Sequence, residues 1–283
     1  MKKLSKTASL LLVLFTYLAA FTACFFSYDF FLQLTGGVIP AFFLLDILAT
    51  LIVWAAGLLV KNASLYDPYW SLTPIAAALF FTMKAAYFNV LTVLYISVFA
   101  VWGIRLTLNW IRDWPGLSHQ DWRYTMLREK NPKIYFITNL FGINLIPTLV
   151  VFAALMPFFA AVQKAENING LTAAGALICV LAALLQFIAD EQMRKFRKGN
   201  NKGKNMDSGL WKYSRHPNYF GEISFWWGIY IMQLSVLPGY WFLIAGPLLM
   251  TLLFVFISIP MMKNKLLNSK EGYKEYSCLH LFP

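Results

Sequence analysis

Eight apolar runs dominate the chain, and any fold it adopts must cover them. They occupy residues 8–26, 39–60, 66–83, 86–104, 134–162, 171–189, 219–234 and 241–262. A helix needs about 20 apolar residues to cross the hydrocarbon core of a bilayer, and most of the runs approach or exceed that length. Composition agrees, since 59% of the 283 residues are apolar and 13% are charged, against about 25% charged in soluble domains. These features exclude a soluble globular enzyme, a disordered chain and a collagen-like chain. The expected fold class is all-α, a polytopic membrane bundle of seven to eight transmembrane helices. Seven applies if the third run, polar at its start, is re-entrant. The fifth run is too long to stand upright and carries Asn144 and Pro147 midway, which predicts a kink or tilt. The first run follows Lys2, Lys3 and Lys6 and outlasts the usual signal-peptide core of about 7–15 residues, which favours a retained signal anchor.

Charge orients the bundle. The chain carries 24 Lys+Arg against 13 Asp+Glu, a formal net charge of +11. With the N-terminus inside, all basic residues except Lys84 and Lys164 fall in the N-terminal segment, at Lys61, in 105–133, in 190–218 and after 262. So lopsided a split follows the positive-inside rule, and it predicts a multi-pass membrane protein with both termini and its functional opening cytoplasmic. The positive charge is therefore assigned to orientation and to anionic headgroups, and no nucleic-acid partner is expected. Cys24, Cys179 and Cys278, with His119, His216 and His280, have no metal-ligand spacing, so neither a metal site nor a disulfide framework is expected. The expected partners are membrane lipids and a hydrophobic small molecule.

Two cytoplasmic stretches carry chemistry. One runs from Trp102 through Arg105 and Arg112 to Asp121-Trp122-Arg123-Tyr124. The other runs from Asp190 through Arg194, Lys195, Arg197, Lys198, Lys202 and Lys204 into Gly209-Leu210-Trp211-Lys212-Tyr213-Ser214-Arg215-His216-Pro217-Asn218-Tyr219-Phe220-Gly221-Glu222. Gly199–Lys204 is no phosphate loop, because its glycines are too close and Asn205 stands where the magnesium-binding hydroxyl belongs. Pro217 suits a helix start. Glu222 then lies about a turn into a span, where a carboxylate is costly unless Arg215, His216 or a polar ligand meets it. Asp46 lies mid-span, either functional or a polar contact between helices. Asp67, crowded in Tyr66-Asp67-Pro68-Tyr69-Trp70, is either an acid held protonated so that it can donate a hydrogen bond or an incidental member of an aromatic belt.

The run from Gly209 to Glu222, followed by Trp226-Trp227-Gly228, resembles the signature of the bacterial DUF1295 proteins, relatives of the membrane steroid 5-alpha-reductases. Similar matches are Ala189-Asp190-Glu191-Gln192, Asp121-Trp122-Arg123-Tyr124, Asp67-Pro68-Tyr69-Trp70, Ser258-Ile259-Pro260 and Gly272-Tyr273-Lys274-Glu275-Tyr276. The resemblance implies a multi-span fold in which the C-terminal half, 134–283, holds NADPH and the N-terminal half, 1–133, holds substrate. The cofactor contacts it implies are Asp190, Arg197, Tyr213, His216, Asn218, Tyr219 and Glu222, with Arg194 and Arg215 nearby. Lys263 departs from the pattern, where an acidic residue is expected after Met261-Met262. The family's substrate-polarising Glu and Tyr have no clear match, and Asp67 with Tyr66 are the candidates put in their place.

The expected activity is hydride transfer from NADPH to a carbonyl-conjugated C=C bond of a steroid- or isoprenoid-like lipid. The Arg-His-Pro-x-Tyr run also resembles the membrane methyltransferases that use S-adenosylmethionine on isoprenylcysteine or phospholipid amines. The basic stretch 194–204, able to meet a 2′-phosphate, favours the reductase. A transporter or scaffold ranks third, because paired broken helices are not evident.

Overall fold

A computed structural model describes residues 4–165, 167–199, 201, 203–270 and 273. The described residues form helices α1 (Lys6–Thr35), α2 (Val38–Leu59), α3 (Tyr69–Ala85), α4 (Val90–Asp113), α5 (Trp122–Lys130), α6 (Pro132–Lys164), α7 (Gly170–Lys198), α8 (Pro217–Val236) and α9 (Pro238–Ser269), with no strand among them. All eight apolar runs are helical. Six of the helices, α1, α2, α4, α6, α7 and α9, are long and apolar enough to cross a membrane.

The other two runs differ for local reasons. Asp67-Pro68 delays the third: residues Ala63–Tyr66 close a buried 3₁₀ turn, and α3 starts only at Tyr69 and runs for 17 residues. The seventh begins at Pro217, as its fixed φ favours, and extends to Val236. Two stretches expected as loops continue as helix. Arg105 and Arg112 belong to α4, and Asp190 to Lys198 belong to α7. The α7 extension is rich in Arg, Lys, Glu, Gln and Met and the α4 extension in Leu and Arg, residues that sustain a helix at little cost.

The predicted irregularity in the fifth run is a π-helix, Thr138–Leu145, ending two residues before Pro147. A second π segment, Phe254–Ser258, ends two residues before Pro260. Proline removes one N–H and its ring strikes the carbonyl four residues back, and the wider π turn accommodates both faults.

The chain divides into two compact units, Met1–Leu155 and Met156–Pro283. The division falls inside α6, because Thr138–Leu145 and Thr148 pack with α2 and the 63–66 turn. In the first unit, Ser9 Oγ accepts from Leu117 N (3.1 Å) and Tyr17 OH donates to Leu65 O (2.6 Å), fastening α1 to the polar segments. In the second unit α7 and α8 form a hairpin. Asn169 caps α7 and its Nδ2 donates to Ser235 O (2.8 Å) at the far end of α8. The helices touch backbone to backbone: a Cβ at Gly228 would stand 2.9 Å from Gly175 O and 2.6 Å from Cys179 Sγ. Small residues permit this approach where there is no water to drive association.

Candidate functional site

Two polar clusters stand out, one in each unit. In the first unit the chain after α2 turns back into the bundle, and Ala63, Ser64, Leu65 and Tyr66 are all buried. Backbone groups buried this way need partners, and the 117–124 segment supplies them. Asn62 Nδ2 donates to Leu117 O (3.0 Å) and His119 O (2.9 Å), Ala63 N donates to Gln120 Oε1 (3.1 Å), and Asp121 N donates to Ser64 Oγ (2.9 Å). Asp121 also caps α5 and holds Arg123 in a two-point pair (2.8 and 3.1 Å).

Asp67 sits within this latch. Tyr124 OH donates to its Oδ1 at 2.6 Å, and Trp110 Nε1 approaches its Oδ2 at 3.4 Å. Asp67 lies between α2 and α3, outside the six spans. Burial pushes its carboxyl up to about 6, against the opposing pull of Arg123 and of the Tyr124 and Ser64 hydroxyls. Its oxygens accept hydrogen bonds from neighbours that brace the turn.

Tyr66, its neighbour in sequence, faces another set. Tyr66 OH lies 2.8 Å from Thr148 Oγ1, which lies 2.9 Å from Thr50 Oγ1. Thr50 Oγ1 donates to Tyr69 OH (3.3 Å), and Tyr69 OH donates to Asp46 Oδ1 (2.7 Å). Five side chains from α2, the 63–66 turn, α3 and α6 thus form one unbroken line of oxygens within the unit. Thr50 is fully buried and Tyr66 is 2% exposed, whereas Asp46 keeps part of its surface open. The structure therefore places Asp67 and Tyr66 side by side in sequence but in different networks. Asp46, Tyr69, Thr50 and Thr148 complete the set. Asp46 and Thr50 are a helical turn apart on α2, a signal readable in the sequence. Nothing in the sequence points to Thr148.

The second cluster lies at the α7–α8 end of the second unit. Asp190, Arg194 and Arg197 follow one another at four- and three-residue spacing and share a face of α7. Arg194 pairs with Glu191, and Arg197 is exposed. The chain returns through the turn Gly209–Lys212, where Trp211 Nε1 donates to Ala189 O (3.0 Å) and Leu210 N to Gln192 Oε1 (2.9 Å). Gly209 has φ +60° and its Cα lies against the Gln192 side chain, so a Cβ there would collide. This turn delivers Arg215 and His216 to the start of α8.

His216 is 5% exposed and stacks on Tyr219 (5.1 Å, 13°), which packs against Phe254 (5.0 Å). Burial first, and the neighbouring Arg215 charge second, push its imidazole down to about 4, so it is neutral at pH 7. Arg215 lies over the Tyr273 ring at 5.6 Å. Glu222 is buried and accepts from Trp226 Nε1 (3.0 Å). Asn218 is partly exposed, one turn from Glu222, and Tyr213 is 48% exposed. Arginines, a neutral imidazole, an amide, phenols and a carboxylate thus gather at one end of a helical hairpin, a set of donors suited to phosphates and of acceptors suited to ribose hydroxyls. Lys202, Cys278, His280 and the tail motif apart from Tyr273 lie outside the described residues, and no group of three or more metal-ligating side chains occurs among those described.

Comparison with known proteins gives two matches. The chain is 26% identical over 207 residues to an uncharacterised protein of Schizosaccharomyces pombe, covering 64% of this chain and 60% of that one. The chain thus spans less than two thirds of this relative's length. No solved structure matches. The model of the family described as a protein of unknown function (DUF1295) matches residues 53–278, a span that holds both the 63–66 turn and the α7–α8 cluster, and the chain belongs to that family.

Proposed function

We propose that the protein is a membrane oxidoreductase that transfers hydride from NADPH to a carbonyl-conjugated C=C bond of a lipid-like substrate. The observation that carries this reading is the Tyr69–Asp46 pair, a phenol donating to a carboxyl at 2.7 Å within an apolar span. An ionisable group at that depth is costly to keep. Its use is to hydrogen-bond an oxygen that gains negative charge where little water competes. Asp46, only partly buried and in its protonated form, holds the carbonyl oxygen while charge moves onto it, and Tyr69 holds Asp46 in place. Asp67, fastened by Tyr124, positions the turn that carries Tyr66.

The α7–α8 cluster supports the cofactor. Arg194, Arg197 and Arg215 suit phosphates, and Asn218, Tyr219 and Glu222 suit hydroxyl and amide groups. His216, neutral and stacked, offers a face for packing and carries no charge. The bound nicotinamide would supply the hydride, and the chain's own residues bind, orient and protonate.

The reading is tested by titrating purified protein with NADPH, NADH and S-adenosylmethionine, then assaying a soluble enone in proteoliposomes. NADPH is expected to bind in preference to the other two. Glu222→Gln should weaken NADPH binding about tenfold to a hundredfold, as the loss of charge-assisted hydrogen bonds worth about 1.5–3 kcal/mol implies. Asp46→Asn should leave binding intact and lower turnover about 10²-fold or more. Tight S-adenosylmethionine binding without NADPH binding would replace the reductase with a methyltransferase.

A further inference from the structure

We propose that Tyr66, Thr148, Thr50 and Tyr69 form a proton wire that reloads Asp46 from the polar 62–67 end of the first unit. The inference rests on the reductase reading for its purpose and on hydrogen-bond counting for its existence. Each hydroxyl owns one proton. Tyr69 spends its proton on Asp46, and Thr50 spends its own on Tyr69. The 2.9 Å contact between Thr50 and Thr148 must then use the Thr148 proton, and the 2.8 Å contact beyond it must use that of Tyr66. All four hydroxyls therefore point toward Asp46, the arrangement an ionised Asp46 demands. If each proton shifts one place, Asp46 becomes a carboxylic acid and every hydroxyl in the line reverses. Tyr66 is left as a phenolate and takes the replacement proton from water at the polar 62–67 turn.

The balance of the reaction requires such a supply. Reduction of an enone by hydride consumes one proton per turnover: hydride forms the C–H bond at the β-carbon, the π pair moves to the carbonyl oxygen, and that enolate takes a proton. If Asp46 gives it, Asp46 is left as a carboxylate near the middle of α2. It must regain a proton before the next cycle. Its carboxyl oxygen Oδ1 is bonded by Tyr69, which makes that phenol the entry to the line. From Tyr69 the line leads inward to Tyr66, in the turn whose Ser64 and Asp67 bond to Asp121 and Tyr124. The longest link, Thr50–Tyr69 at 3.3 Å, must shorten for transfer and is the expected slow point. The other titratable groups around Asp46 are Cys24 of α1, whose Sγ bonds to Leu45 O, and Tyr66 in the turn. The cysteine makes no link in the line.

The test needs neither substrate nor cofactor. Time-resolved infrared spectroscopy of the full chain in proteoliposomes, after a pH jump, follows the carboxyl C=O band that Asp46→Asn removes. Thr148→Val should slow the appearance of that band at least tenfold, and Thr50→Val should do the same. Thr148→Ser, which keeps the hydroxyl, should restore the rate. Unchanged rates in both valine variants would overturn the wire, and so would an Asp46 band that never responds between pH 4 and 10. Absence of NADPH binding would sink the reductase reading and leave this measurement standing. An active reductase with unchanged Asp46 protonation in the valine variants would sink the wire alone.

Discussion

Gly228→Ala should destabilise the second unit although it adds a single methyl group far from any polar cluster. A Cβ on Gly228 meets Cys179 Sγ at 2.6 Å, Gly175 O at 2.9 Å and Cys179 N at 3.2 Å. Rotation of the cysteine can clear the sulfur, at the cost of its 3.4 Å contact with Phe225 O. The other two atoms are backbone and cannot move without parting the helices by a few tenths of an ångström. Overpacking of that kind costs about 1–3 kcal/mol. Gly170→Ala is the control, because Gly170 begins α7 with nothing within 4 Å of an added methyl group and no positive φ. There the loss of glycine's unfolded-state freedom should be neutral or stabilising by up to about 1 kcal/mol. Reversible unfolding in mixed micelles measures both. The same separation shifts Asp190, Arg194 and Arg197 on α7 against Asn218 and Glu222 on α8, so ligand affinity at that end should fall with stability. Gly228→Ala as stable as the parent protein would refute the backbone contact on which the hairpin's register rests.

Tyr124→Phe should cost about 1–3 kcal/mol by stripping the 2.6 Å hydrogen bond from a buried carboxylate. The penalty should be larger at pH 8 than at pH 5, because Asp67, pushed up to about 6, is protonated at the lower value. Equal penalties at both pH values would refute its ionisation. His216 works through the opposite shift. Its imidazole is held down to about 4 against 6.5 when unfolded, so the unfolded chain binds more protons in that interval, and stability falls as pH drops from 6.5 toward 4. The contribution is about 3 kcal/mol, and His216→Phe should flatten the profile by that amount in chemical unfolding across pH 4–7. Reporter fusions after residue 283 and within 163–170 should report opposite faces of the membrane. The same face for both would mean that one of α7, α8 and α9 does not cross, and the eight-span arrangement would fail.

Membrane helices are legible in sequence because the bilayer imposes one simple demand, a sustained apolar run with every backbone group bonded within its own segment. All eight runs are accordingly helical, and Pro217 starts α8 where its missing N–H is harmless. The irregular turn before Pro147 follows from the same local chemistry. The Gly209–Glu222 motif is also legible, since it packs its functional groups into one short stretch of consecutive residues. What sequence cannot supply is pairing across distance. Asp67 reads as a lone acid among aromatics until Tyr124, 57 positions later, is brought to 2.6 Å of it. Thr148 reads as one more hydroxyl in an apolar helix, and only the packing of α6 on α2 places it between Thr50 and Tyr66. Hydropathy decides which segments enter the membrane. Which polar atoms then meet inside it is decided by helix packing, because a buried hydroxyl can satisfy itself on any nearby carbonyl and leaves no periodic trace.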